Sequence, residues 1–129
     1  MRTRVQADTA YFYQMSQRVR MRHIKVTFYS TVGAETSTVT ADSGIYEWRT
    51  QNMQALGNVV AVTPDQRRLE TSVLNYERNT HTITGPEAFV FDAPSRHLKG
   101  DGFTSDPEFK NVVTQRAREG TVGRVQLEP

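Results

Sequence analysis

A short phrase recurs four times along this 129-residue chain: Val5-Gln-Ala-Asp-Thr-Ala-Tyr-Phe12, Val39-Thr-Ala-Asp-Ser-Gly-Ile-Tyr46, Leu69-Glu-Thr-Ser-Val-Leu-Asn-Tyr76 and Leu98-Lys-Gly-Asp-Gly-Phe-Thr-Ser105. Its starts lie 34, 30 and 29 residues apart. A period of roughly 20 to 50 residues marks an architecture in which one unit is stacked on copies of itself. A single unit buries too little apolar surface to stand alone, so any function belongs to the stack.

Within each phrase apolar and polar residues alternate, the pattern of a strand with one face buried and one in water. Ile24, Val26 and Phe28 alternate with Lys25, Thr27 and Tyr29 in the same way, and Phe89 and Phe91 with Val90 and Asp92. No window sustains apolar residues at three and four, so no long helix is expected; Thr63 to Arg68 reads as a hairpin loop. Turn signals at Gly33, Asp42 to Gly44, Pro64-Asp65, Gly85-Pro86, Pro94, Gly100 to Gly102 and Asp106-Pro107 punctuate the chain at strand length. Many short strands so spaced predict an all-β sandwich, barrel or roll. Val19 and Met21 fall on odd positions but Ile24, Val26 and Phe28 on even ones, which predicts a β-bulge or break near His23.

The length suits one domain, expected over residues 1–115, burying roughly two-thirds of its unfolded surface. Residues 116–129, with Gly120, Gly123 and a terminal Pro129, read as a C-terminal tail that stays flexible unless something pairs with it. There is no cysteine, which rules out disulfides and thiolate metal sites. The net charge of +2 divides as +3 over residues 1–64 and −1 over 65–129, with Arg18, Arg20, Arg22 and Lys25 close together. No apolar run approaches the roughly 20 residues that span a bilayer, and no signal-peptide pattern opens the chain.

Catalysis finds little support. His23, His81 and His97 are dispersed, without a second ligand at metal-motif spacing, and are expected on a strand face and beside turns. Asp101 lacks the alternating oxygen ligands of a calcium loop. Ser43 lacks the glycine two positions earlier that a nucleophile elbow needs. Asp8 and Asp42, which share a position in the repeat, are expected to bond turn amides. The alternating arginines suit phosphates, yet a group of four cations among many acids reads as a solvated face and not as a nucleic-acid site. A phosphorylated lipid head group carries charge of the same kind.

The run Thr40-Ala-Asp-Ser-Gly-Ile-Tyr46, then Ala55-Leu-Gly-Asn-Val-Val60, Leu69 to Tyr76 and Leu98-Lys-Gly-Asp-Gly-Phe103, in this order and spacing, resembles the LptC family of lipopolysaccharide-export proteins and the wider OstA group that includes LptA. The resemblance covers about Val5 to Val113. It implies an open antiparallel β-jellyroll of two facing sheets built from repeated hairpin units. It also implies a non-enzymatic periplasmic protein, without cofactor, held at the inner membrane in its full-length form by an anchor not seen in this chain. Such a protein receives lipopolysaccharide from the inner-membrane ABC transporter and passes it along an apolar groove to an LptA-like partner through edge-to-edge jellyroll contacts.

On that reading the groove is lined by Ile24, Val26, Phe28, Val39, Ala41, Tyr46, Val59, Leu69, Leu74, Tyr76, Ile83, Phe89, Phe91, Leu98 and Phe103, although each suits an ordinary core equally well. Strand edges at Thr3, Arg4 and Val5 and at Lys110, Asn111, Val112 and Val113 are expected to meet partners. Arg2, Arg4 and Lys110 would guard those edges or set their register. Head-to-tail addition also permits a homo-oligomer. Three alternatives remain: an LptA-like soluble bridge component; a carbohydrate-binding or structural β-sandwich presenting Trp48 and Tyr29; and a metal-dependent jelly-roll enzyme that brings two of the three histidines together.

Overall fold

The computed structural model describes residues 2–120, with side chains described over 3–116. Eight strands follow one another: β1 (Arg2–Tyr13), β2 (Arg18–Tyr29), β3 (Glu35–Glu47), β4 (Asn52–Val62), β5 (Arg68–Glu77), β6 (Thr82–Ala93), β7 (Arg96–Ser105) and β8 (Val113–Gly120). Each pairs antiparallel with its neighbour in chain order, so β1 and β8 are the two edges of one continuous sheet. The sheet runs through Gly120, five residues past the expected domain end at 115. The rest of the expected tail, 121–129, lies outside the described residues.

This single sheet is folded over on itself. Strands three places apart in a flat sheet lie about 14 Å from one another, yet the rings of Phe28 in β2 and Tyr76 in β5 meet edge to face at 4.9 Å. The Ser37 hydroxyl of β3 donates to the Pro107 carbonyl, just beyond β7, at 2.6 Å. The two facing sheets that the resemblance implies are therefore two walls of one hydrogen-bonded sheet.

The fold line is legible residue by residue. His23, opposite Asp8 and Asp42, takes no ladder partner and sits at φ 54°. Further along, the register shifts between Thr40 and Ser43, Leu56 and Val59, Thr71 and Asn75, and Gly85 and Ala88. Gly57 and Gly102, at φ 82° and 80°, stand on the same line, where a side chain would strain the backbone. Aligned irregularities crease β2 to β7 at mid-length. Residues 24–29, 35–41, 59–62, 68–71, 88–93 and 96–101 form an upper wall. Residues 18–22, 43–47, 52–56, 73–77, 82–85 and 103–105 form a lower one.

The crease explains the repeat. In each phrase the first and third residues face inward, then the sixth and eighth: Val39, Ala41, Gly44 and Tyr46 in β3, and Leu69, Thr71, Leu74 and Tyr76 in β5. The alternation switches phase at the centre of the phrase, and the fourth residue of the first three phrases, Asp or Ser, falls on the fold line, as does Gly102, the fifth residue of the last. There Asp8 lies 3.0 Å from His23 Nδ1, and Asp42 accepts from the Asn58 amide at 2.8 Å. Both bonds join side chain to side chain across neighbouring strands, the Asn58 donor being its side-chain amide, and neither is the bond to a turn backbone amide expected of Asp8 and Asp42.

Between the walls Val26, Phe28, Val39, Leu74, Ile83, Phe89, Phe91 and Phe103 interlock with Met53, Ala55, Val59 and Leu69. Phe89 of the upper wall meets Phe103 of the lower at 5.0 Å. Phe103 also lies over Gly85 of the adjacent strand, where a Cβ would come within 2.2 Å of its ring. Overpacking a core by a methyl typically costs about 1–3 kcal/mol. Gly85→Ala is therefore expected to lower the urea midpoint without changing the m value.

Candidate functional site

The roll is closed on one side of its length and open on the other. At the C-terminal side, residues 106–112 leave the end of β7 in the lower wall, reach the far end of the upper wall at Ser37, Arg67 and Arg96, and return to pair Val113 with Thr104. The Asp106 carboxylate shapes this strap by accepting the N–H groups of Glu108, Lys110 and Asn111 at 3.2, 3.1 and 2.9 Å. The strap is tied down by the Ser37 bond to Pro107 and by Arg67 and Arg96, which donate to the carbonyls of Glu108 and Val112 at 3.4 and 3.0 Å. Phe109, at φ 56°, and Val112 are thereby buried under it.

At the N-terminal side no strap exists among the described residues. Thr3, Val5, Ala7, Ala10 and Phe12 of β1 stand opposite Phe28, Val26, Ile24, Met21 and Val19, and cross-strand partners share a face, so this row points inward. Among the described residues no second wall covers it: Phe12 is 71% exposed and Val5 37%. Beside the row lies a cleft of about 330 Å³ bounded by Thr3 and Val5 on one side and by Tyr46, Met53, Tyr76 and Arg78 on the other. Burial pushes the Tyr76 phenol above its ordinary pKa, with the Thr3 hydroxyl and Arg78 pulling partly back. The Tyr76 hydroxyl is thus a neutral polar group in a cleft of mixed lining, where Val5, Tyr46 and Met53 alternate with the polar groups of Thr3, Gln51 and Arg78.

The fifteen residues expected to line a groove are brought together on the inner faces of the walls, and all but half-buried Tyr46 are buried. They pack against one another. The space left among Val26, Phe28, Val39, Met53, Ala55, Leu74 and Tyr76 is about 10 Å³, about what one water centre requires. In this closed form they are a filled core, and the uncovered apolar surface is the β1 row, of which the sequence reading singled out Thr3 and Val5 only as edge residues. Alternation would have placed Ala10 and Phe12 with it once the phase switch at Asp8 was known.

Thr3, Arg4 and Val5 do lie on an edge strand. At the other end the edge is β8, beginning at Val113. Lys110, Asn111 and Val112 belong to the strap, and Val112 is buried. Phe109 escaped notice because a residue buried from a turn has no periodicity to announce it. The histidines lie apart, His23 on the crease, His97 paired with Asp92 and His81 in the β5–β6 turn. Among the described residues no three His, Asp or Glu side chains form a group able to hold a metal ion.

A creased antiparallel roll, strapped along one side and apolar but uncovered along the other, is an open β-jellyroll. The family model described as "Lipopolysaccharide-assembly, LptC-related" matches residues 1–113, and the chain belongs to that family. Among solved structures it is similar to LptH of Pseudomonas aeruginosa, described as the LptA homologous periplasmic component of the conserved lipopolysaccharide transport device. The TM-score is 0.68 and the identity 13%, over 90% of this chain and 83% of that one. At that identity the likeness is one of fold. No curated protein sequence matches the chain.

Proposed function

We propose that this protein is a periplasmic lipopolysaccharide carrier, which takes the lipid from the inner-membrane ABC transporter and hands it to an LptA-like jellyroll joined edge to edge. The observation that carries this reading is the uncovered inward row of β1 beside its cleft. Acyl chains would complete there the apolar contacts that the second wall supplies elsewhere. The filled middle of the roll has no room for them, so the lipid enters at the β1 side and reaches the interior only where the walls part. Each CH₂ removed from water contributes roughly 0.8 kcal/mol, and micromolar affinity needs about 8 kcal/mol. About ten buried methylene groups suffice. Arg78, hydrogen bonded to Gln51 at the lip, is placed to meet a phosphate. In the full-length protein an N-terminal anchor holds the roll at the inner membrane.

Photo-crosslinking to lipopolysaccharide tests the reading, with a photoreactive residue placed singly at Val5, Phe12 and Tyr46, at Phe28 and Phe91 in the packed interior, and at outward Lys25 and Glu77. Labelling is expected to be strongest at Val5, Phe12 and Tyr46, weaker at Phe28 and Phe91, and absent at Lys25 and Glu77. A folded protein labelled nowhere would leave a structural or sugar-binding β-domain as the better account.

A further inference from the structure

One end of the lower wall carries a surface that the carrier reading does not use. The β1–β2 hairpin ends there, with Tyr11 and Tyr13 about half exposed and Met15 fully so. The tyrosines stand opposite Arg20 and Arg18 on the outer face. The β3–β4 turn is fastened beside this hairpin by the Trp48 amide, which donates to the Gln17 carbonyl at 3.2 Å. It adds the partly exposed Trp48 indole and the exposed Arg49. Among the described residues none of Arg18, Arg20 and Arg49 is held in an ion pair. Glu47, opposite Arg18 in the ladder, accepts a hydrogen bond from the Thr50 hydroxyl at 2.9 Å.

Exposed aromatic and Met side chains gathered at one tip depart from the scattered exposure that is normal for apolar residues. Tyr and Trp with arginines among them have the chemistry of a membrane interface: amphipathic rings settle at head-group depth while guanidiniums meet lipid phosphates. Tyr, Trp, Met and Arg are enriched in protein interfaces as well, but there the fully buried centre is depleted of charge. Here cations alternate with the rings.

We propose that this rim docks on the surface of an anionic bilayer, orienting the roll with the tips of β1–β2 and β3–β4 toward the lipid. The contact is separate from the β1 row and does not depend on the carrier reading.

The chain has one tryptophan, at the rim, so its emission reports the event directly. With vesicles of phosphatidylglycerol and phosphatidylethanolamine the emission is expected to shift to the blue and the protein to sediment with the vesicles. With phosphatidylcholine vesicles, or at high salt, both effects should weaken. Arg18→Glu and Arg20→Glu should each reduce binding by about fivefold or more, at about 1 kcal/mol per cation near the surface. The pair Tyr13→Ser and Met15→Ser should remove the emission shift, whereas Val32→Ser, at the exposed opposite end, should leave it intact. Circular dichroism checks that each variant is folded. The proposal is overturned by an unshifted emission with every vesicle, by equal loss on Val32→Ser, or by a shift produced by an LptA-like partner and not by vesicles.

Discussion

Phe109→Ala is expected to destabilise the protein by about 3–5 kcal/mol, the range for truncating a buried Phe. Domains of this size have about 5–15 kcal/mol in total. The ring is 1% exposed and lies under a strap held to the upper wall by three hydrogen bonds. Its loss leaves a cavity at the seam and frees the strap that closes it. With an m value near 1.5 kcal/mol per molar urea, the unfolding midpoint should fall by roughly 2–3 M. Lys110→Ala, exposed in the same strap, should move it by less than about 0.5 kcal/mol. Equal small effects from both would mean that the strap is not a structural part of the roll. A further consequence separates the strap from ordinary packing: Phe109→Ala should raise crosslinking of lipopolysaccharide at Phe91, because both sides of the seam are then open.

The repeat, the alternation and the turn residues make an all-strand sandwich, barrel or roll legible, and the family resemblance narrows it to a roll. Even the crease was visible at one point, in the phase change between Met21 and Ile24. Its extension across the sheet was hidden because Gly57, Asn58 and Ser72 are each ordinary turn or strand residues taken singly. Only register places them on one line. The inner set was equally legible as apolar positions, but alternation tells which side chains face inward and not whether another wall faces them. Val5 and Val39 occupy the same place in the repeat, yet Val39 is buried and Val5 is 37% exposed. What separates them is position in the sheet order, which is a property of the whole stack. The strap was illegible for a related reason: Asp106-Pro107 announces a turn, and nothing local says that the turn crosses to the other wall and carries a Phe beneath it.

That same difference between equivalent positions gives the second large prediction. Phe12→Asp should leave folding stability within about 0.5 kcal/mol of the parent, since its side chain is 71% exposed, whereas Val5→Asp, at a position 37% exposed, should cost about 1 kcal/mol and leave the protein folded. Lipopolysaccharide binding should nevertheless fall steeply. Covering a Val or Phe side chain with acyl carbon contributes about 1.5–3 kcal/mol, and a carboxylate in its place must be desolvated without a partner. Each variant should therefore bind at least about tenfold more weakly, and the double variant should show no labelling at Tyr46. Phe28→Asp is the contrasting case. It sets a charge in the packed interior and should prevent folding outright, so its lack of binding carries no information about the lipid. Binding that survives Val5→Asp and Phe12→Asp in a folded protein would move the acyl chains away from the β1 row and require the walls to part elsewhere along the seam. Binding lost while the variants stay folded would identify the row that lacks a facing wall as the surface on which the lipid supplies one.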